Sequence, residues 1–208
     1  MESSRVTGIV VALTALTSFS ILLWSQSAPA GSSGPDFSAM QVANPGGQEI
    51  SMRIYRSGSN IRYEPNQVMS MVYKPSANQI YKLMKFPDGS RQCVEARTDQ
   101  SVIPYNVQLL AGVNVKRTSA GTEVVGGHSC KIETAILTLK NGTTAEFKVW
   151  EAEDLKGAPV KIESETDQGT ITIFYRDIVV GTPDPGLFEQ PSKCTPVEKM
   201  GQVAPPEK

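Results

Sequence analysis

The stretch His128–Glu153 reads "HSCKIETAILTLKNGTTAEFKVWEAE". "HSCKIETAILTLK" and "TTAEFKVWEAE" meet across Asn141-Gly142, and Asn-Gly between two β-prone runs is the strongest short-range signal for a β-hairpin. Downstream, "APVKIESET" and "GTITIFYRDIVV" are joined through Asp167-Gln168-Gly169, so one hairpin leads into another. This half of the chain is antiparallel β by its turn chemistry.

The upstream half has the same texture. "QEISMRIYR" alternates, with Ile50, Met52 and Ile54 on one face and Ser51, Arg53 and Tyr55 on the other. Ser57–Asn60, "SGSN", turns the chain into "IRYE"; alternation broken by such clusters reads as strand, turn, strand. "QVMSMVYK" sets Met69, Met71 and Tyr73 on one face before "PSAN" turns again. "QIYKLMKF" ends at the Pro-Asp-Gly turn "PDGS", and "RQCVEAR" follows. Between the halves, "SVIPYNVQLLAGVNV" is the internal stretch with helical spacing, its Val107, Leu109, Leu110 and Val113 suiting a short helix bracketed by Pro104 and Gly112. The expected class is mainly β (α+β): a curved antiparallel sheet of about eight or nine strands forming an incomplete barrel, with one or a few short helices. That little helix is scant cover for so wide an apolar face, which hints at a cavity.

The N-terminus differs in kind. "MESSR" carries Arg5, "VTGIVVALTALTSFSILLW" is uncharged and mostly apolar, and "SQSAPAGSSG" supplies the small residues Ala28 and Ala30. This pattern predicts a secretory signal over 1–30, cut after Ala30; an uncleaved anchor is the alternative. A linker over 31–36, a folded domain over 37–195 and a flexible tail over 196–208 complete the expected organisation, in a periplasmic or secreted protein. The 208 residues carry 20 Lys and Arg against 21 Asp and Glu. No global field recruits nucleic acid, and a nucleic-acid partner is not expected.

Four stretches, taken in order, carry a family likeness. They are "FSAMQVANPGGQEISMRIYRSGSNIRYEP", "MSMVYKPSANQIYKL", "VVGGHSC" and "RDIVVGTPDPGLFEQP". Together they resemble the periplasmic lipoprotein-carrier superfamily of the LolA and LolB type, and most nearly an uncharacterised exported bacterial branch of it. The resemblance implies a half-barrel lined with apolar side chains and lidded by short helices, holding acyl chains. It also implies an arginine near the end of an early strand that governs the lid. Arg56 stands at about that point, with Arg62 a competing candidate. The faces carrying Met52, Ile54, Met69, Met71 and Tyr73, with Arg56, are the expected cavity lining. The implied partner is a lipid or lipidated protein, or alternatively an envelope protein that meets a filled module. No cofactor is expected.

Candidate chemistry is thin. His128 is the one histidine and lies two residues before Cys130. A zinc site would need Cys93, His128, Cys130 and Cys194 together, without any C-x-x-C spacing to support it. A Cys–His nucleophile needs an orienting third group that adjacency does not provide. Outside the cytoplasm a disulfide is the ordinary fate of cysteines; of the three pairings, Cys93–Cys130 is favoured because both lie in predicted strands, with Cys130–Cys194 close behind. Glu151, Glu153 and Asp154, then Glu163, Glu165 and Asp167, alternate with apolar residues or sit in turns, the pattern of a solvated sheet face. The methionines Met52, Met69, Met71 and Met84 suit a plain core first and an adaptable lining second. No enzyme is expected.

Overall fold

A computed structural model describes residues 34–44, 49–98, 103–167 and 169–196. The expected signal over 1–30, its cleavage point after Ala30 and the tail beyond Pro196 lie outside the described residues. The first half supplies β1 (Phe37–Ala43), β2 (Ile50–Ser57), β3 (Asn60–Glu64), β4 (Met69–Lys74), β5 (Gln79–Lys85) and β6 (Arg91–Arg97). Helix α1 (Tyr105–Ala111) follows, then β7 (Val115–Val125), β8 (His128–Thr138), β9 (Thr144–Ala152), β10 (Ala158–Thr166), β11 (Gly169–Val180) and the short β12 (Thr195–Pro196).

The twelve strands among the described residues join one sheet in the order β12-β6-β5-β4-β3-β2-β1-β11-β10-β9-β8-β7. The count exceeds the eight or nine expected. The additions are β1, the two-residue β12 and β7, whose run "VKRTSAGTEVV" is polar, carries Gly121 in its interior and so shows no apolar alternation. Each half is a meander of hairpins, and β1 unites the halves by pairing with β2 on one side and β11 on the other. The Asn141-Gly142 turn forms as read: Gly142 takes φ +83°, which glycine adopts without steric cost, and Asn141 Oδ1 accepts from Thr143 N–H at 3.0 Å.

A sheet this wide curls, and the curl gives it a filled concave side. The wings touch where Lys140, on the β8–β9 turn, donates to Asn78 Oδ1 (3.2 Å) and Thr98 Oγ1 (3.0 Å) beyond the opposite wing's strands. Strand pairing does not close the barrel. Helix α1 packs between β3 and β8, bridging the wings from inside. The main core lies there: Phe37, Ile54, Ile61, Leu109, Leu137, Val149 and Ile162 are all essentially inaccessible to solvent.

Each wing also has a smaller cluster on its convex side. On one, Cys130, Ile132, Trp150, Ala152 and Val160 pack together. Lys161 and Lys148 lie over the Trp150 ring at 4.1 and 4.9 Å, and its Nε1–H donates to Glu123 Oε2 at 2.7 Å. On the other, Val72, Tyr81 and Cys93 are covered by Phe188 from the C-terminal segment. Asp184 caps the 3-10 turn Pro185–Phe188 by accepting from Gly186 N–H. Arg62 donates to Leu187 O at 3.0 Å, and β12 runs parallel to β6.

A disulfide between Cys93 and Cys194 completes this strap, with Cα atoms 4.5 Å apart. The expected Cys93–Cys130 pairing is therefore corrected, and Cys130 is a free, buried thiol. The reason is topological. Cys93 and Cys130 both face the convex side, but on β6 and β8 of opposite wings, so the curl turns them away from each other.

Asp36 accepts from Gly58 N–H (2.7 Å) and Thr182 Oγ1–H (3.0 Å), and Pro35 O accepts from Arg56. Gly34 passes so close to Arg56 that a Cβ there would fall 2.5 Å from Nη1.

Candidate functional site

Strand register collects the residues named as lining. Ile54, Tyr63 and Met71 stand in one cross-strand row, and Arg56, Ile61 and Tyr73 in the next. Both rows face the concave side, where Met52 and Met71 pack partly buried against the core. The Tyr63 hydroxyl donates to Met71 Sδ at 2.8 Å. Met69 is set apart. It pairs with Met84 at the far end of the β4–β5 hairpin and borders an open groove instead.

Helix α1 occupies the middle of this face. Pro104 stands at its N-cap, where a missing N–H costs nothing, and Gly112 ends it in the left-handed region at φ +71°. Val107, Leu109, Leu110 and Ala111 are buried against the sheet, while Tyr105 and Val113 face solvent. One polar contact indexes the helix to the sheet. Asn106 Nδ2–H donates to Gln41 Oε1 at 2.8 Å, and the Tyr175 hydroxyl reaches the same oxygen at 3.3 Å. Burial raises the Tyr175 hydroxyl's pKa well above its ordinary value, so it stays a donor. Gln41 is 4% exposed in the central strand β1.

The cavity hinted at by scant helix is closed in this state. Between α1 and the sheet lies a void of about 10 Å³, bordered by Arg56, Leu109, Leu110, Arg117, Val149 and Glu151 among others. Large side chains such as Phe37, Tyr63, Tyr73 and Tyr175 fill the interior alongside the helix.

A charged cluster borders that void. Arg117 Nη1 donates to Glu151 Oε1 at 2.6 Å and to Glu133 Oε2 at 2.9 Å. Arg117 Nε is buried without a hydrogen-bond partner. Arg56, 3% exposed, spends Nε on Gly58 O and Nη1 on Pro35 O, both at 3.1 Å. Burial raises the Glu151 carboxyl above its ordinary pKa, opposed by Arg117, and lowers that of Arg56, helped by repulsion from Arg117. Arg56 is thus built into the frame that holds Gly34–Asp36, and it also borders the void beside α1. Arg62, the competing candidate, faces the convex side, pairing with Glu64 at 2.7 Å and holding the strap. Sequence reasoning missed Arg117, Glu133 and Gln41. Arg117 is on β7, whose polar run gives no strand signal, and a polar residue facing a core leaves no periodic trace.

The apparently reactive residues sit elsewhere. His128 Nδ1 is 2.8 Å from Asp154 Oδ2 at the surface, and Cys130 Sγ–H donates to the His128 carbonyl at 3.3 Å. Burial pushes the Cys130 thiol up, away from the thiolate form. Among the described residues no group of three or more His, Cys, Asp or Glu is placed to hold a metal ion. Of the carboxylates on the sheet face, Glu151 binds Arg117, Glu163 pairs with Lys161 at 2.6 Å, and Glu165 accepts from Thr170. A second concavity of about 580 Å³ opens on the strap side, bordered by Ser70, Leu83, Arg91, Glu189 and Lys193 among others, and is mixed in polarity.

No family model matches the chain, and no curated protein matches it. Solved structures do. The chain is similar to the MucA/MucB complex of Pseudomonas aeruginosa, 16% identical over 77% of this chain and 57% of that one, with a TM-score of 0.36. It is similar to LprF from Mycobacterium bovis (12% identical, 73% and 89% covered, TM-score 0.37) and to a LolA superfamily protein from Nitrosomonas europaea (11%, 76% and 90%, 0.29). The chain spans 59% of the length of MucB in a further structure. All three superpose with TM-scores below 0.5.

Proposed function

We propose that the concave face binds an acyl chain or a comparably apolar ligand, in an exported, non-enzymatic carrier or sensor, and that α1 occupies the ligand's place in the state described. The observation that carries this reading is the nature of the cover. A largely apolar face spanning both wings is covered by a seven-residue helix indexed to the sheet through Asn106 and Gln41. So short a helix has little stability of its own and depends on its docked side chains.

The energetics permit an exchange. Undocking Val107, Leu109 and Leu110 costs roughly 5–9 kcal/mol at about 1.5–3 kcal/mol per side chain. An acyl chain burying about 12 methylenes recovers about 10 kcal/mol at about 0.8 kcal/mol each. The state of the thiols supports a non-enzymatic reading: Cys93 and Cys194 form a disulfide, and Cys130 is buried with its thiol held in the protonated form by burial.

The small void supports a second reading, an envelope interaction module whose filled core never opens. Hydrogen exchange across α1, with and without a fluorescent acyl probe, separates the two. Carrier function requires probe uptake together with lost protection over residues 105–111. Absence of uptake, combined with no lipid co-purifying under native mass spectrometry, sinks it and leaves the interaction module.

A further inference from the structure

Resting on that reading, we infer the class of head group the site prefers: an acyl chain carried on an uncharged ester or amide, taken over the free fatty acid, with the Arg117 Nε–H donating to the carbonyl oxygen. Three observations meet at one place. Arg117 lines the void together with Leu109 and Leu110 of α1, so a chain replacing those leucines ends beside the guanidinium. The side chains of Arg117, Glu151 and Glu133 are 16%, 18% and 28% exposed, which sets this cluster where the interior meets water. A head group at the rim with its tail beneath the helix's footprint is the arrangement an amphiphile needs.

The charges decide which head group fits. Arg56 and Arg117 balance Glu133 and Glu151, and Arg56 already donates to two backbone carbonyls. A carboxylate arriving here adds a net negative charge beside two carboxylates in a partly desolvated site, and like charges at such range disfavour one another. An ester or amide carbonyl adds no charge. It supplies the acceptor that Arg117 Nε lacks, and a buried donor without a partner is costly while it stays so.

The test titrates the folded, exported protein at pH 7 with three ligands of equal chain length: a methyl ester, the matching alkyl methyl ether, and the free acid. The ether isolates the carbonyl, and the acid isolates the charge. The expected result is ester over ether by on the order of tenfold, the worth of one hydrogen bond to a charged group, with the acid weaker than the ester. A neutralised cluster, Arg117→Met with Glu133→Gln and Glu151→Gln, should bind ester and ether alike. Equal binding of ester and ether by the unaltered protein overturns the inference, as does an acid that matches the ester. Failure of all three ligands to bind overturns the carrier reading itself. Should the triple variant not fold, the ¹³C carbonyl resonance of labelled ester bound to the unaltered protein decides. A downfield shift from its value in hydrocarbon supports the donor, and an unshifted resonance rejects it.

Discussion

If α1 is what the ligand displaces, weakening its docking should tighten binding while lowering stability. Leu109 is the residue to change, because it is fully buried and projects from the helix into the core. Leu109→Ala removes buried methyl and methylene groups and leaves a cavity, a change that costs about 3 kcal/mol or more in a site that cannot collapse. The same side chain contributes little once α1 has swung away, since position 109 then faces solvent in either variant. The closed state is therefore raised relative to the open one by about 3 kcal/mol, and the competent fraction rises by about a hundredfold until it saturates. Urea unfolding followed by circular dichroism should show the stability loss, and titration with a fluorescent acyl ester should show a gain in apparent affinity of up to that factor. Leu137→Ala is the control. Leu137 is equally buried but belongs to β8, so it lines the site whether or not α1 is docked, and its loss should cost both stability and affinity. If both variants bind more weakly, or Leu109→Ala leaves affinity unchanged, α1 is not the displaced element.

Two further outcomes follow from the strap and the buried hydroxyls. The Cys93–Cys194 bond closes a loop with a sequence separation of 101, for which chain-entropy arguments give about 4–5 kcal/mol as an upper bound. Cys194→Ser should lower the urea midpoint by less than that bound, because the strap can detach alone, and should expose the segment around Phe188 to protease; the oxidised, denatured chain should titrate with a single free thiol, Cys130, and a count of three would reject the bond. Burial pushes the Tyr63 hydroxyl up to about 12. Its unfolded value is near 10, so the native state holds the proton that the unfolded state releases; stability falls as pH rises from about 10 to about 12, by about 2–3 kcal/mol from this group. Tyr63→Phe should flatten the alkaline limb of a stability profile measured by urea unfolding, and an unchanged slope would show that Tyr63 does not hold its proton through that range.

By itself the sequence determined what depends on neighbours along the chain. Asn141-Gly142, Pro-Asp-Gly and "SGSN" specify turns through backbone conformations few other residues accept, and alternation then assigns faces, which is why Ile54, Met71 and Tyr73 share a side. Pro104 and Gly112 likewise bracket α1 correctly, and its buried residues Val107, Leu109 and Leu110 were legible from spacing. Tertiary structure alone decided what depends on curvature. Whether two cysteines on strands can meet is set by the curl, which separates Cys93 from Cys130 and brings Cys194 to Cys93 through the strap. The same curl closes the expected cavity around α1. It also gathers Arg56 and Arg117 from distant strands beside Glu133 and Glu151, a cluster with no local signature because charge and burial in a strand are independent until the sheet bends.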